Sequence, residues 1–264
     1  MRLTIVGCSG SFPGPDSAAS CYLVEAEGFK LLIDLGSGAL GALQRYAGLQ
    51  DIDAVCVSHL HADHCLDLCD YSVARVIHPD GPRPRIPVYG PAQAAVRLAR
   101  ALAADPAADE QRGADPGRGI TDAFRFETIT PGTRQIGPLR VTSARMNHPV
   151  ETFGFRLEHG GRALAYSADT GETGALAGLA RGADVLLCEA SFVTPAGEGE
   201  PVLPENLHLT GRQAGQQAAR ARAGQLVLTH LVPWNDKGRT LEEAGQAFGG
   251  PLSLAAPGMV IDVD

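Results

Sequence analysis

Apolar residues along the chain fall mostly in short runs of four to eight, which predict strands more often than helices. Residues 2–7 read as a strand that breaks at Gly7-Cys-Ser-Gly-Ser-Phe-Pro-Gly-Pro15, a loop by its glycine and proline content. Cys21–Glu25 and Lys30–Asp34 flank Gly28 as a hairpin, and Asp53–Ser58 reads as a buried strand. Arg85–Tyr89, Phe124–Ile129, Leu139–Met146, Thr152–Leu157, Ala163–Ser167, Val185–Ala190 and Leu226–Thr229 continue the strand pattern, and Leu252–Val263 closes it with short strands. Helical spacing appears at Ala39–Ala47, Cys65–Val76, Pro91–Ala103, Gly174–Arg181, Thr210–Ala223 and Thr240–Phe248. Thr210 is the expected N-cap of its helix. Ala104–Gly119 has no periodicity and reads as a long loop, either a solvated connection or a lid. Strands that outnumber helices and are followed by them in both halves suggest two packed sheets with helices outside, of the α/β class.

Composition narrows this picture. The chain has 264 residues, enough for one or two domains. No linker stands out, so a single domain over 1–264 is expected. Hydrophobic residues at 44% and charged residues at 20% exclude a disordered or fibrous chain. No apolar run approaches the roughly 18 to 20 residues of a membrane span. The start shows no charged n-region, long apolar stretch or small-residue cleavage site, so a cytoplasmic location is expected. A net charge of −8 argues against a long nucleic acid, DNA or RNA, as partner, because phosphate backbones are held by clustered Lys and Arg. Six cysteines include no Cys-x-x-Cys pair. Cys65 and Cys69 have helical spacing, compatible with core packing or with a metal role.

The eight histidines carry the chemistry. His59-x-His61-x-Asp63-His64 places four candidate ligands in six positions directly after a strand. One histidine of this kind would be a satisfied core residue. Three with an aspartate would each need a separate partner in one crowded turn, so a metal site for zinc, manganese or iron is the simpler reading. Further ligand types follow other strands: Asn147-His148-Pro149, Ser167-Ala-Asp169-Thr-Gly171 and Thr229-His230-Leu231. His78 and His159 lie in turn-like surface segments. Trp234, the sole tryptophan, is either an interface or core residue or a surface on which a nucleobase stacks at the site mouth. Arg156 is a weak candidate for a phosphate contact, and Ser9 and Ser11 are candidates for supporting the ligands from behind.

The ordered set resembles the metallo-β-lactamase fold, and within it the phosphodiesterase branch that includes the tRNA 3′-processing endonucleases. It comprises Gly7-Cys-Ser-Gly-Ser, Asp34-Leu-Gly, the His59–His64 motif, His148 followed by Gly154-Phe-Arg, Tyr166-Ser-Ala-Asp169-Thr, Glu189-Ala-Ser, His208-Leu-Thr and Thr229-His230. The resemblance implies a four-layer αββα sandwich with two mixed sheets and outer helices. It implies two divalent ions, zinc or alternatively manganese. His59, His61 and His148 would hold one, Asp63, His64 and His230 the other, and Asp169 would bridge them. Asp63 would also orient or deprotonate the nucleophile. His208 would protonate the leaving alkoxide or contact the phosphate, oriented by Glu189, a pair that the β-lactamases and glyoxalase-type hydrolases of this fold do not carry. A homodimer is a further expectation from relatives of the fold.

Three substrate classes compete. The tRNA endonucleases usually insert a long arm after the strand matching Gly154–Leu157, whereas here Glu158-His-Gly-Gly-Arg162 runs directly into Ala163–Asp169. The segments around Leu35, Ser58, Leu187 and Leu228-Thr-His-Leu-Val-Pro-Trp234 are similar to a set of actinobacterial cyclic-nucleotide phosphodiesterases. That similarity implies hydrolysis of a small cyclic phosphodiester, such as 3′,5′-cyclic AMP to 5′-AMP, with other cyclic phosphates in the same class. The third class is a non-phosphoester hydrolase of the fold, a lactonase, thioesterase or arylsulfatase.

Overall fold

The computed structural model describes residues 1–103, 119–195 and 202–263. The segment read as a loop or lid, Ala104–Gly119, lies outside the described residues except for Gly119. The first sheet contains β1 (Arg2–Ser9), β2 (Ala18–Ala19), β3 (Cys21–Ala26), β4 (Phe29–Ile33), β5 (Ala54–Cys56), β6 (Ile86–Gly90), β7 (Phe124–Thr128) and β15 (Val260–Asp262). Their order is β15-β1-β3-β4-β5-β6-β7, with β2 beside β1. The second sheet contains β8 (Gly132–Ile136), β9 (Leu139–Arg145), β10 (Phe153–His159), β11 (Arg162–Tyr166), β12 (Val185–Glu189), β13 (Gln225–Thr229) and β14 (Leu252–Leu254), ordered β14-β13-β12-β11-β10-β9-β8. Both sheets are mixed. β4 through β7 run parallel, as do β11 through β14.

Side chains alternate across each strand, so each sheet buries both faces. Tyr22, Val24, Leu31 and Ile33 of the first sheet meet Phe155, Leu157, Leu164 and Leu187 of the second in the central core. The intervening Cys21, Leu23 and Leu32 pack outward beneath α1 (Ala39–Leu43), α3 (Leu68–Val76), α4 (Ala94–Leu102) and α5 (Ile120–Ala123). On the other side Leu186, Cys188, Leu226 and Leu228 lie beneath α6 (Gly174–Leu179), α7 (Gly211–Ala221) and α8 (Lys237–Ala247). Three cores separate four layers, so the expected αββα metallo-β-lactamase fold is present. Among the described residues no helix is long and apolar enough to cross a membrane.

Several elements depart from the sequence pattern. The helix expected over Cys65–Val76 is two, α2 (Ala62–Cys65) and α3, and between them the Asp67 side chain accepts a hydrogen bond from Leu40 N. α8 begins three residues earlier than its apolar pattern, where Asp236 accepts from Arg239 N. β8 is an edge strand with a single buried side chain, Ile136, so it carries little apolar signal. Thr210 caps α7 as expected, in a capping box with Gln213.

α7 packs closely on α8 through glycines one turn apart. A Cβ on Gly215 would stand 2.6 Å from Ala244 O and 2.9 Å from the Ala247 Cβ. Mid-helix alanine normally gains about 1 kcal/mol over glycine. Here that gain competes with an overlap against backbone. Gly215→Ala is expected to lose roughly 1–3 kcal/mol in urea unfolding; a gain would mean that α8 slides aside without cost.

Candidate metal centre

The ligand candidates stand at the carboxyl ends of strands from both sheets. β5 leads into His59, His61, Asp63 and His64 from the first sheet. β9, β11 and β13 of the second lead into His148, Asp169 and His230. Parallel neighbours end together, so their following loops converge on one edge of the molecule.

Two clusters result. In one, His59 Nε2 lies 3.0 Å from His61 Nδ1, and His148 Nε2 lies 3.3 Å from the same atom. Asp169 Oδ2 is 3.6 Å from His59 Nε2. In the other, His64 Nε2 and His230 Nε2 are 3.1 Å apart, with Asp63 Oδ2 at 3.4 and 3.1 Å. Asp169 Oδ1 is 3.2 Å from His64 Nε2 and 3.4 Å from His230 Nε2. Asp169 therefore offers one oxygen to each cluster. In both groups the ligand atoms all lie within 4.8 Å of one another.

The outer ring nitrogens fix the orientation. His64 Nδ1 donates to Asp34 Oδ2 at 2.8 Å. His59 Nδ1 is 3.0 Å from Ser58 Oγ, His148 Nδ1 donates to Leu207 O at 2.9 Å, and His230 Nδ1 is 2.8 Å from Ser191 Oγ. Each of these four rings is thus held with Nε2 facing inward. Asp34 is the common anchor. It is fully buried and also accepts from Ser58 N at 2.7 Å, Ser58 Oγ at 2.9 Å and Tyr166 OH at 2.9 Å. Its backbone is left-handed, φ 60°, as are Ala168 at 51° and His230 at 57°.

The donor set fits a pair of cations. Asp169 Oδ1 is buried and makes no hydrogen bond of its own. Facing imidazole lone pairs about 3 Å apart repel unless something positive lies between them. Burial lowers the proton affinity of His59, His61 and His148, which keeps their lone pairs available. Burial also disfavours ionised carboxyls, yet His230 and His64 hold Asp63 well below the usual carboxylate range, and His230, His64 and His59 do the same for Asp169. Burial opposes protonation of His64 as well, but Asp169 and Asp34 outweigh it and raise the ring well above its ordinary range. The two carboxylates responsible are negative charge that a cation among the ligands would offset.

His208 stands apart from the two clusters. Its Nδ1 donates to Glu189 Oε1 at 3.0 Å and is 4.0 Å from Asp169 Oδ2. Glu189, at the end of β12, also accepts from Thr170 N, Ser191 N and Leu209 N. Phe192 packs edge-on against the His208 ring, with centroids 5.2 Å apart. Burial lowers the His208 proton affinity, but the Glu189 charge and hydrogen bond override it and push the pKa up to about 9. Glu189, His208 and His230 form a third close group, which shares His230 with the second cluster.

The structure thus brings together all seven ligand candidates and places the His208–Glu189 pair beside them. Other expectations fare differently. Arg156 donates to Leu179 O and Arg181 O at the end of α6 and to Glu158 on its own strand, so it ties β10 to α6 instead of meeting a phosphate. Ser9 Oγ donates to Ser17 O and supports no ligand. Cys65 and Cys69 are buried, with Sγ atoms toward His61 O and Leu98 O, so both read as core residues. His159 pairs with Glu27, and His78 with Asp80 and Arg83. Asp34, Tyr166 and Ser191 lie in motifs that carry the resemblance, and Ser58 in a similar segment, but the sequence assigns none of them a role in the site. The signal within reach was the position of Asp34 at a strand end ahead of Leu-Gly.

The chain belongs to the β-lactamase superfamily: the family described as "Beta-lactamase superfamily domain" matches residues 30–231. It is 42% identical over 254 residues to an uncharacterized protein of Mycobacterium tuberculosis, covering 96% of this chain and 88% of that one. It is 28% identical over 267 residues to the probable metallo-hydrolase YhfI of Bacillus subtilis, covering 98% and 99% of the two chains. The crystal structure of YhfI superposes with a TM-score of 0.81, covering 98% of each chain. The short form of human tRNase Z shares the fold, with a TM-score of 0.75 at 22% identity over the full length of both chains.

Asp34 accepts four hydrogen bonds, and an amide in its place would turn an NH₂ group toward donors. Asp34→Asn is expected to keep the fold and weaken metal retention about 10- to 100-fold, read as metal content after dialysis against graded chelator. Unchanged retention would mean that His64 is oriented without Asp34.

Proposed function

We propose that the chain is a dinuclear metal-dependent phosphodiesterase that hydrolyses small cyclic phosphodiesters, foremost 3′,5′-cyclic nucleotides such as cyclic AMP. The observation that carries this reading is the His208–Glu189 pair beside the double cluster. A leaving ribose alkoxide needs a proton, and a histidine held protonated by a buried carboxylate supplies one. A thioester, by contrast, releases a thiolate that departs without a proton, so such a pair has less to do there.

Two divalent ions, zinc or alternatively manganese, would be held by His59, His61, His148 and Asp169 and by Asp63, His64, His230 and Asp169. When bound, they supply Lewis-acid polarisation of the phosphoryl oxygens and neutralise developing charge. The chain's own groups do the rest. Asp63 orients the attacking water and takes up its proton. His208 delivers its Nε2 proton to the departing 3′-oxygen and remains a neutral imidazole, its Nδ1–H still donated to Glu189. Glu189, locked by three backbone amides, keeps the His208 ring from rotating.

Small substrates are favoured by what lies where a tRNA-gripping arm would enter. β10 and β11 are joined by a tight turn at Gly160-Gly161, both left-handed at φ 60° and 79°. With a net charge of −8, the chain has no basic field to compensate for the missing grip.

A turnover panel on zinc- and manganese-loaded protein tests the reading. Hydrolysis of cyclic AMP and bis(p-nitrophenyl) phosphate is expected, with precursor tRNA left intact. Cleavage of precursor tRNA at its 3′ trailer would replace the reading with the endonuclease. Separately, His208→Ala is expected to retain both metals while turnover falls about 10²- to 10⁴-fold. Loss of an ion in that variant would make His208 a ligand.

A further inference from the structure

Two large aromatic side chains stand exposed on segments that adjoin the second cluster, Phe12 two residues past Gly10 and Trp234 four past His230. Trp234 is 72% exposed and Phe12 43%, and their rings are 5.3 Å apart with planes at 39°. Trp234 is therefore not a core residue. Each ring is carried by a short turn anchored on the strand end that delivers His230.

On one side, Ser9 bridges Leu231, and Gly10 N donates to Leu231 O at 3.1 Å. Gly10 lies so close to His230 that an added Cβ would stand 2.4 Å from its carbonyl oxygen and 3.0 Å from its Nδ1. From there Phe12 N donates back to Gly10 O at 2.7 Å across Ser11, whose φ is 63°. That is a γ-turn, a strained conformation for a residue with a side chain. It throws Phe12 outward within two residues of the cluster wall.

On the other side, Asn235 N donates to Val232 O at 2.9 Å, closing a turn with Trp234 near its tip. The Asn235 side chain ties that turn to Ala190 O and Ser191 O, next to the serine that orients His230. Pro13 and Pro233 stiffen the two turns, and Pro233 Cγ would lie 3.9 Å from a Cβ at Gly14. Both rings are thus held in place yet left open to solvent, where apolar aromatic area gains from being covered.

We propose that Phe12 and Trp234 form a platform on which the planar base of a nucleotide stacks while its phosphate lies at the metal centre. The proposal rests on the phosphodiesterase reading above and names the part of the substrate that reading leaves open. Stacking on such a surface needs only a π-face, so it selects nucleotides over base-free phosphates and tolerates more than one base. The short turns tie both rings to the strand end that delivers His230, so base and phosphate would be held by one connected unit.

The sole tryptophan makes this directly measurable, because all tryptophan fluorescence comes from Trp234. Metal-loaded protein is titrated with 5′-AMP and, separately, with ribose 5-phosphate. Saturable quenching by 5′-AMP and none by ribose 5-phosphate is expected. Phe12→Ala is expected to raise the apparent Kd for 5′-AMP roughly tenfold. Absence of quenching by 5′-AMP overturns the platform even if cyclic AMP is hydrolysed. Quenching of equal size by both compounds overturns it too, since the base would then contribute nothing. An emission shift that follows protein concentration instead of nucleotide would mean a second copy covers the pair, which also overturns it. The turnover panel decides the phosphodiesterase reading independently, because it does not depend on Trp234 emission.

Discussion

Inward-facing imidazole nitrogens and carboxylate oxygens in a nearly dry pocket form the constraint on which the rest depends. Left alone, such an arrangement sets lone pair against lone pair and carboxylate against carboxylate, and low polarity magnifies both. Three conditions make it tenable. Outer hydrogen bonds hold the rings from behind, the strand ends deliver them from several directions, and positive charge belongs in the middle. Asp34 shows the first condition most plainly: one buried carboxylate serves Ser58, His64 and Tyr166 at once.

The left-handed residues show the second. Asp34, Ala168 and His230 each sit where a parallel strand ends and the chain must turn at once to present a side chain. Non-glycine residues in that conformation cost of order 1–3 kcal/mol each and persist where the surroundings over-determine them. Here the surroundings are the hydrogen bonds of the site itself, so geometry and strain support one another. The His208–Glu189 pair follows the same logic one layer out, with backbone amides doing for Glu189 what Ser58 and Tyr166 do for Asp34.

Much of this was legible in the sequence because ligands follow strands. The His59–His64 motif is local, and His148, Asp169 and His230 each directly follow an apolar run, so periodicity and residue type suffice to find them. The supporting residues were not legible for the opposite reason. Asp34 meets partners 24, 30 and 132 positions away, and no local pattern encodes such a meeting. β8 escaped because an edge strand needs few apolar residues, and the early start of α8 escaped because a cap is a matter of one oxygen and one amide. Arg156 misled because a guanidinium suits a phosphate and a cluster of carbonyls equally, and only the fold decides which lies nearby.

The ligands also come from both sheets, four from the loop after β5 and three from loops of the second half. A chain whose six cysteines are all free has no disulfide between those halves. Bound metal would act as that link, a clasp joining position 59 to position 230 across the central core. Its affinity is then part of the folding equilibrium, since an ion at 100 times its Kd adds about 2.7 kcal/mol to the folded state. Metal binding would in this way couple the chemistry of the site to the cohesion of the two sheets.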